Sequence, residues 1–589
     1  MCGIFAVVND KQNSSAQTVL EGLKKLEYRG YDSWGIAIKP KGAQVLQVEK
    51  HVGKIGQAST SLPAGSIAIG HTRWATHGGV TDANAHPHLD CTKQIAVLHN
   101  GIVENYQELK AKLLSQGHVF VSETDTEVIA HLIEEKQKKT KIETAVFETF
   151  KELAGSNAIA VLDSETESVI ACRNGSPLVV GMGKEDYYLA SDVPAFLKFT
   201  NAVHFLLDGE AVILTKAGVS LHDVETHAKK NLVIQHIDWK VEDAEKGGYP
   251  HFLLKEIMEQ KKTIPKTSQI NGEELKKIAK KIKVHKKVVM VACGTASYCA
   301  LAAKYFFAKS GIQAQSYPAY EFLPFAKFCD KDTVFIAISQ SGETADTLIA
   351  ARSAKKAGAY VVAVVNARGS TLERLADTVL LVGAGPEIAV VSTKAFTSQL
   401  ATLYLLAHEV GGSISLAQKN LKDLGQTLEG WLNQTLLNKV VALAKNILSH
   451  EDMYLIGKHL NYPSTLEFAL KIKEASYIHA EPFAAGELKH GVISLIQKGT
   501  ICFVLAGNDE VKNEVLSSAA EVKARGGYII GIAPFQSSEF DSTIQTPDVG
   551  DLTLFPNVIV GQLLGYFLGV GRGTDPDKPR NLAKSVTVK

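Results

Sequence analysis

Lys287-Val-Val-Met-Val-Ala-Cys-Gly-Thr-Ala-Ser297 reads as a fully apolar strand that breaks at Cys293-Gly294 and hands over to a helix across 300–310. The same grammar follows in 333–338, a strand, Ser339-Gln340-Ser341-Gly342-Glu343-Thr344, a turn, and 345–357, a helix, before a third strand at 360–365. Continuous Val/Ile strands alternating with helices predict a parallel, doubly wound sheet covered on both faces. The pattern then repeats. Met453-Tyr-Leu-Ile-Gly457 restates Met290-Val-Ala-Cys-Gly294, Ala480–Phe483 falls at the same offset from Tyr317–Tyr320, and 500–505 and 523–530 mirror 333–338 and 355–362. Four matches in register predict a duplicated α/β domain over 275–425 and 440–575.

Working outward, the first 220 residues have a different texture. Short β-branched runs (3–9, 33–39, 43–51, 66–71, 94–100 and 158–163) are punctuated by Gly, Asn and Asp, with helices predicted at 16–27 and 126–138. Blocks of strands and helices predict a layered α+β domain over 2–220. Residues 221–274, where Lys-Lys-Asn, Glu-Lys-Gly-Gly-Tyr-Pro and Lys-Lys-Thr-Ile-Pro break the pattern, read as a linker, and 576–589 as a tail.

Composition bounds the partners. The 589 residues are 45% hydrophobic and 21% charged with a formal net charge of +1, which suits globular domains and gives no electrostatic reason to expect nucleic acid or an anionic membrane. The longest apolar run, 558–570, is shorter than the ~20 residues of a span, and the N-terminus lacks a basic leader. Seven cysteines without a CxxC pair suit reduced thiols and a cytoplasmic location.

Position two carries the first chemistry. Removal of Met1 in front of a small residue leaves Cys2 with a thiol and an α-amine on one residue. Such an amine titrates near ~7.7–8.0 and can serve as a base beside a nucleophilic thiolate. His71-Thr-Arg-Trp-Ala-Thr-His-Gly78, His99-Asn-Gly-Ile-Val-Glu-Asn105 and Ser122-Glu-Thr-Asp-Thr-Glu127 supply what a glutamine site needs. Arg73 suits a carboxylate, Asn100-Gly101 an oxyanion, and Asp125 an ammonium. Asp125 reads equally as a helix N-cap, Arg73 as a surface ion pair, and Trp74 as a core aromatic. His71, His77, His86 and His88 lack a metal-ligand pattern, so no metal is expected.

Cys2-Gly-Ile-Phe-Ala6, HTRWATHG and HNGIVEN together resemble the class II glutamine amidotransferases, an N-terminal-nucleophile fold. The resemblance implies Cys2 as nucleophile, Asn100 and Gly101 as oxyanion hole, Arg73, Thr76, His77 and Asp125 as glutamine ligands, and Trp74 as the gate of an ammonia channel.

In the repeat, the Ser/Thr-rich turns at 293–297, 339–344 and 391–394 offer hydroxyls and, in the first two, a helix N-terminus, which suits a phosphate monoester; none is a Walker loop. Lys471 and Glu474 share a helix face at i, i+3, a spacing also common in surface ion pairs, and Gly486–Gly491 places His490 in a Gly-flanked loop. These runs, with SQSGET, VSTKAFTSQL and the tail PRNLAKSVTVK, closely resemble the isomerising glutamine:fructose-6-phosphate aminotransferase family over nearly the whole chain, so the two repeats are expected to be sugar-isomerase (SIS) domains. The resemblance implies Ser339, Gln340, Ser341 and Thr344 as the phosphate loop and Thr295, Ser392 and Glu387 as sugar ligands. It assigns Lys584 to a Schiff base, His490 to ring opening, and Glu474, beside Lys471, to proton transfer. It further implies glucosamine 6-phosphate and glutamate as products, no cofactor, and a homodimer. Departures are Val492, where the family commonly has proline, and Lys589, where it often has Glu. Two competitors remain on sequence grounds: a non-catalytic sugar-phosphate sensor, which needs neither Cys2 nor Lys584, and an enzyme for another ketose, which leaves HTRWATHG without purpose.

Overall fold

The computed structural model describes residues 2–9, 14–237, 245–285 and 287–587; Met1 and Lys589 lie outside these. The N-terminal part is built on two antiparallel sheets of eight and seven strands. The strand Gly3–Asn9 runs inside the larger one, between Ile67–Arg73 and Asp186–Ala190. Its side chains alternate, as the period of two demands. Phe5 and Val7 join the helix Ser15–Leu26 in one core, while Ile4, Ala6 and Val8 face the second sheet. The second sheet's outer face packs on Glu127–Gln137 and Ile142–Glu152. The result is a helix–sheet–sheet–helix stack.

The two repeats are five-stranded parallel sheets with one strand order, second-first-third-fourth-fifth in chain sequence. In the first these are Lys287–Ala292, Ala314–Pro318, Thr333–Ser339, Tyr360–Val365 and Thr378–Leu381. In the second they are Asp452–Gly457, His479–Ala484, Ile501–Leu505, Tyr528–Ala533 and Ser542–Gln545. This is a doubly wound order, which places ligand-binding turns at the carboxyl ends of the strands.

The segment expected to be a linker is largely ordered. Phe252–Thr267 is a helix with Pro265 in its last turn, and Gly272–His285 is another. Leu253, Ile257 and Ile264 are buried in the core of the repeats, and this apolar stripe outweighs the lysines that surround it in sequence. The apolar run near the C-terminus lies in the helix Leu554–Gly571, long and apolar enough to cross a membrane but mostly buried within the protein. It packs on Asn461–Ser476 through Gly561, Gly565 and Gly569. A Cβ at these positions would meet Phe468, the Lys471 carbonyl and the Ala475 carbonyl at 2.5–2.6 Å. The glycines thus set how closely the helix bearing Lys471 and Glu474 is held.

Candidate active sites

Antiparallel pairing of Gly3 with Thr72 brings Cys2 beside the end of the Ile67–Arg73 strand. The Cys2 thiol is bracketed by Trp74, whose N–H donates to Sγ at 3.3 Å and whose carbonyl lies 3.5 Å from it. Asn100 Nδ2 donates to the Cys2 carbonyl at 3.0 Å, so the proposed oxyanion donor sits next to the nucleophile. His71 Nε2 meets Asn100 Oδ1 at 3.0 Å and fixes the amide's orientation. Burial drives the His71 pKa down to about 3, so the ring is neutral and acts as a positioning group. Gly101 has φ +142°, and a Cβ there would lie 2.2 Å from the Ser156 carbonyl; only glycine fits this turn.

Arg73 is buried, and its guanidinium caps the carbonyls of His77, Gly78 and Gly79. It shapes the loop that carries Thr76 and His77 instead of forming a surface ion pair. Asp125 is buried and accepts the Val103 N–H at 2.7 Å; Thr126, not Asp125, is the N-cap of Glu127–Gln137. His71 and His86 stack with ring centroids 4.3 Å apart, and His88 meets His86 edge-on at 4.8 Å; all three are buried.

On the sugar side, Ser339 ends its strand and Thr344 caps the helix Ala345–Lys356. Ser339 Oγ accepts the Gly342 N–H at 3.0 Å and meets Thr344 Oγ1 at 2.9 Å. The Gln340 carbonyl accepts the Asn366 N–H, and the Ser341 hydroxyl lies 2.8 Å from that of Ser585. The tail therefore docks on this loop, with Val586 O accepting the Ala345 N–H at 3.0 Å, where a frayed end would make no such contacts. Lys584 is anchored by Glu387 at 2.6 Å and the Ala389 carbonyl at 2.7 Å. Glu387 also accepts from Ser392 Oγ and from the Thr393 and Ala395 N–H groups. Burial alone raises a carboxyl pKa, but Lys584 and these donors reverse the effect and hold Glu387 low.

Lys471 is 1% exposed and pairs at 2.6 Å with Glu474, which is partly exposed, so the ammonium is the buried half of the pair. Its ammonium also donates to Thr295 Oγ1 at 3.0 Å and lies 3.3 Å from Glu467. Burial, with the Glu474 charge adding to it, pushes the Glu467 carboxyl up to about 8. The neutral acid leaves Lys471 to pair chiefly with Glu474. His490, in the short helix Ala485–His490, is exposed and makes no hydrogen bond or ion pair among the described residues.

Several residues carry the site without a sequence signal. Tyr28, Arg29 and Asp192 from the N-terminal part line one cavity together with Gln340, Ser341, Glu387, Lys584 and Ser585. Arg29 at its wall donates to the Cys2 carbonyl at 3.3 Å and to Asp192 at 3.0 Å. Tyr31 OH reaches the carbonyls of Pro579 and Leu582 at 2.8 and 2.7 Å. Asp192 lies 163 residues from Arg29 and Leu582 lies 551 from Tyr31, beyond the reach of local pattern.

A thiol at the head of a strand in stacked antiparallel sheets, joined to two parallel sheets with Ser/Thr turns, defines a glutamine amidotransferase domain fused to SIS domains. The family models agree: "Glutamine amidotransferase domain" matches 71–198 and "SIS domain" matches 281–409 and 446–543. Proteins named glutamine--fructose-6-phosphate aminotransferase (isomerizing) from Pyrococcus horikoshii and Clostridium tetani are 43% and 44% identical to it, with all of each chain covered. The chain belongs to this family. A solved structure described as the C-terminal domain of glucosamine-fructose-6-phosphate aminotransferase from Francisella tularensis is 32% identical. It covers 57% of this chain and 100% of its own, with a TM-score of 0.52.

Proposed function

We propose that the protein hydrolyses glutamine at Cys2 and uses the ammonia internally to convert fructose 6-phosphate to glucosamine 6-phosphate. The observation that carries this reading is the shared cavity. Arg29, hydrogen-bonded to the Cys2 carbonyl, and Lys584, held by Glu387, line the same space.

In the first half-reaction the Cys2 thiolate attacks the glutamine carboxamide, and Asn100 Nδ2 and the Gly101 N–H stabilise the oxyanion. Ammonia leaves, and water hydrolyses the thioester to glutamate. Arg73, Thr76, His77 and Asp125 frame the glutamine, and Trp74, bonded through its backbone to the thiol, is suited to gate ammonia transfer. In the second, the Ser339–Thr344 loop takes the phosphate, Thr295 and Ser392 position the sugar, and the Lys584 amine condenses with the C2 carbonyl, losing water. Ammonia displaces Lys584, and Glu474 moves one proton from C1 to C2 while the C1 hydroxyl proton passes to the nitrogen, giving the 2-amino aldose. The buried Lys471 ammonium, 2.6 Å away, holds the Glu474 carboxylate in place for that step. Exposed His490 fits a homodimer in which it completes the partner's sugar site. Seven free thiols fit a cytoplasmic location.

The test is Cys2→Ala supplied with both substrates. Glutamate and aminosugar production should vanish while conversion of fructose 6-phosphate to glucose 6-phosphate persists. Loss of both activities, in a protein with an unchanged unfolding midpoint, would refute the two-site reading.

A further inference from the structure

Outside both sites, on the outer flank of the seven-stranded sheet, four side chains from three separate segments converge on one point. Cys91 lies in the turn between the strands His88–Leu89 and Ile95–Gly101, His118 follows the helix Tyr106–Ser115, and His131 and Glu134 lie at i, i+3 on Glu127–Gln137. Cys91 Sγ is 3.6 Å from both His118 Nδ1 and His131 Nδ1. Glu134 Oε2 is 3.1 Å from His118 Nδ1 and 3.2 Å from His131 Nδ1. All four donor atoms lie within 4.8 Å of one another.

These separations match a coordination tetrahedron. With Zn–S near ~2.3 Å, Zn–N near ~2.0–2.1 Å and Zn–O near ~2.0–2.2 Å, tetrahedral angles place S and N about 3.6 Å apart and N and O about 3.3 Å apart. Glu134 Oε2 also accepts the Cys91 N–H at 3.1 Å, which fixes the carboxylate against the two imidazoles. The outward-facing nitrogens add a second, independent observation. His118 Nε2 meets Glu135 Oε1 at 2.8 Å, and His131 Nε2 lies 3.7 Å from Glu127 Oε1. At His118 the carboxylate behind the ring leaves the Nδ1 lone pair aimed inward, the arrangement that orients metal-bound histidines, while His131 Nε2 makes no hydrogen bond among the described residues. The two histidines are buried, so the rings are fixed before any ion arrives. Thiolate plus carboxylate balances the charge of a divalent ion.

We propose that Cys91, His118, His131 and Glu134 bind a tetrahedral divalent ion of the zinc class. The mix of one sulfur, two imidazoles and one carboxylate selects zinc or cobalt over magnesium or calcium. Four protein ligands leave no open position, so the site is structural, not catalytic. It ties the strand ending in Asn100-Gly101 to the helix that follows Asp125. Sequence reading missed it because the spacing, with 26 residues between Cys91 and His118 and 12 between His118 and His131, matches no short metal motif.

The test uses the full-length protein, stripped with chelator and titrated with Co²⁺. The expected result is about one equivalent bound per chain, with the visible bands of tetrahedral cobalt and a thiolate-to-cobalt charge-transfer band in the near ultraviolet; Zn²⁺ should displace both. In Cys91→Ser, at an exposed position, the charge-transfer band should disappear, and Glu135→Gln should weaken Zn²⁺ binding by about 10–100-fold in competition with a chromophoric chelator. No tetrahedral spectrum in the wild-type protein, or a charge-transfer band that survives in Cys91→Ser, overturns the proposal, as does Glu135→Gln with unchanged affinity.

Discussion

Replacing Tyr31 by Phe removes one oxygen from the contact that joins the amidotransferase part to the tail carrying Lys584. The hydroxyl lies 2.8 Å from Pro579 O and 2.7 Å from Leu582 O, but it has one proton to share between them. Burial pushes its pKa up to about 12, so it remains a donor throughout the working pH range. A neutral, half-buried hydrogen bond contributes roughly 0.5–1.5 kcal/mol net. Other anchors stay: Asp577 accepts the Phe252 and Leu253 N–H groups, and Glu387 holds Lys584. The tail should therefore open about 2–13 times more often without detaching. Hydrogen exchange reads this directly, because the Ala345 N–H donates to Val586 O and the Ala75 N–H to Asp32 in the glutamine site. Exchange at Ala345 should accelerate by that factor while Ala75 is unchanged. Aminosugar formation should fall severalfold and glutamate release from glutamine should hold. Unaltered exchange at Ala345, or an equal fall in both activities, refutes this account of how the parts are joined.

Lys584→Ala should abolish borohydride trapping of fructose 6-phosphate; trapping that persists at another lysine reassigns the Schiff base. Gly565→Ala puts a Cβ 2.6 Å from the Lys471 carbonyl and should cost about 1–3 kcal/mol in urea unfolding, as overpacking does; no shift in midpoint would mean that the two helices part freely. Glu467 has its folded pKa raised from 4.5 to about 8, so between those values the native state keeps a proton that the unfolded chain has released. Stability should decline as pH rises through that window, by at most about 1.4 kcal/mol per unit. Glu467→Gln should flatten the decline, and an unchanged slope would place the proton elsewhere.

What the sequence made legible was local and periodic. The strand 3–9, the turn at 339–344 and the repeat of parallel sheets follow from apolar period and punctuation, and the structure places them as those patterns require. Cys2 and Asn100 stand out because an unusual position and an Asn-Gly pair carry their own chemistry. Failures had physical causes. The helix Phe252–Thr267 was hidden because its buried stripe is interleaved with lysines and closed by a proline, while tertiary burial of Leu253 and Ile257 decides its state. Asp125 and Lys471 were ambiguous because burial, not spacing, separates a site residue from a cap or a surface pair. Arg29, Tyr31 and Asp192 carried no signal, since their roles exist only across more than a hundred residues of intervening chain.

The bond between Tyr31 and Leu582 closes a loop of 551 residues. Each sheet can form from contacts within its own stretch, but Lys584 reaches Glu387 and Ser585 reaches Ser341 only when the tail returns across separately folded units. Closing so long a loop forfeits chain entropy that local structure does not repay, so long-range pairing comes late. On refolding from denaturant, glutamine hydrolysis should return before amination. During that interval the molecule would release ammonia that it has no means of using.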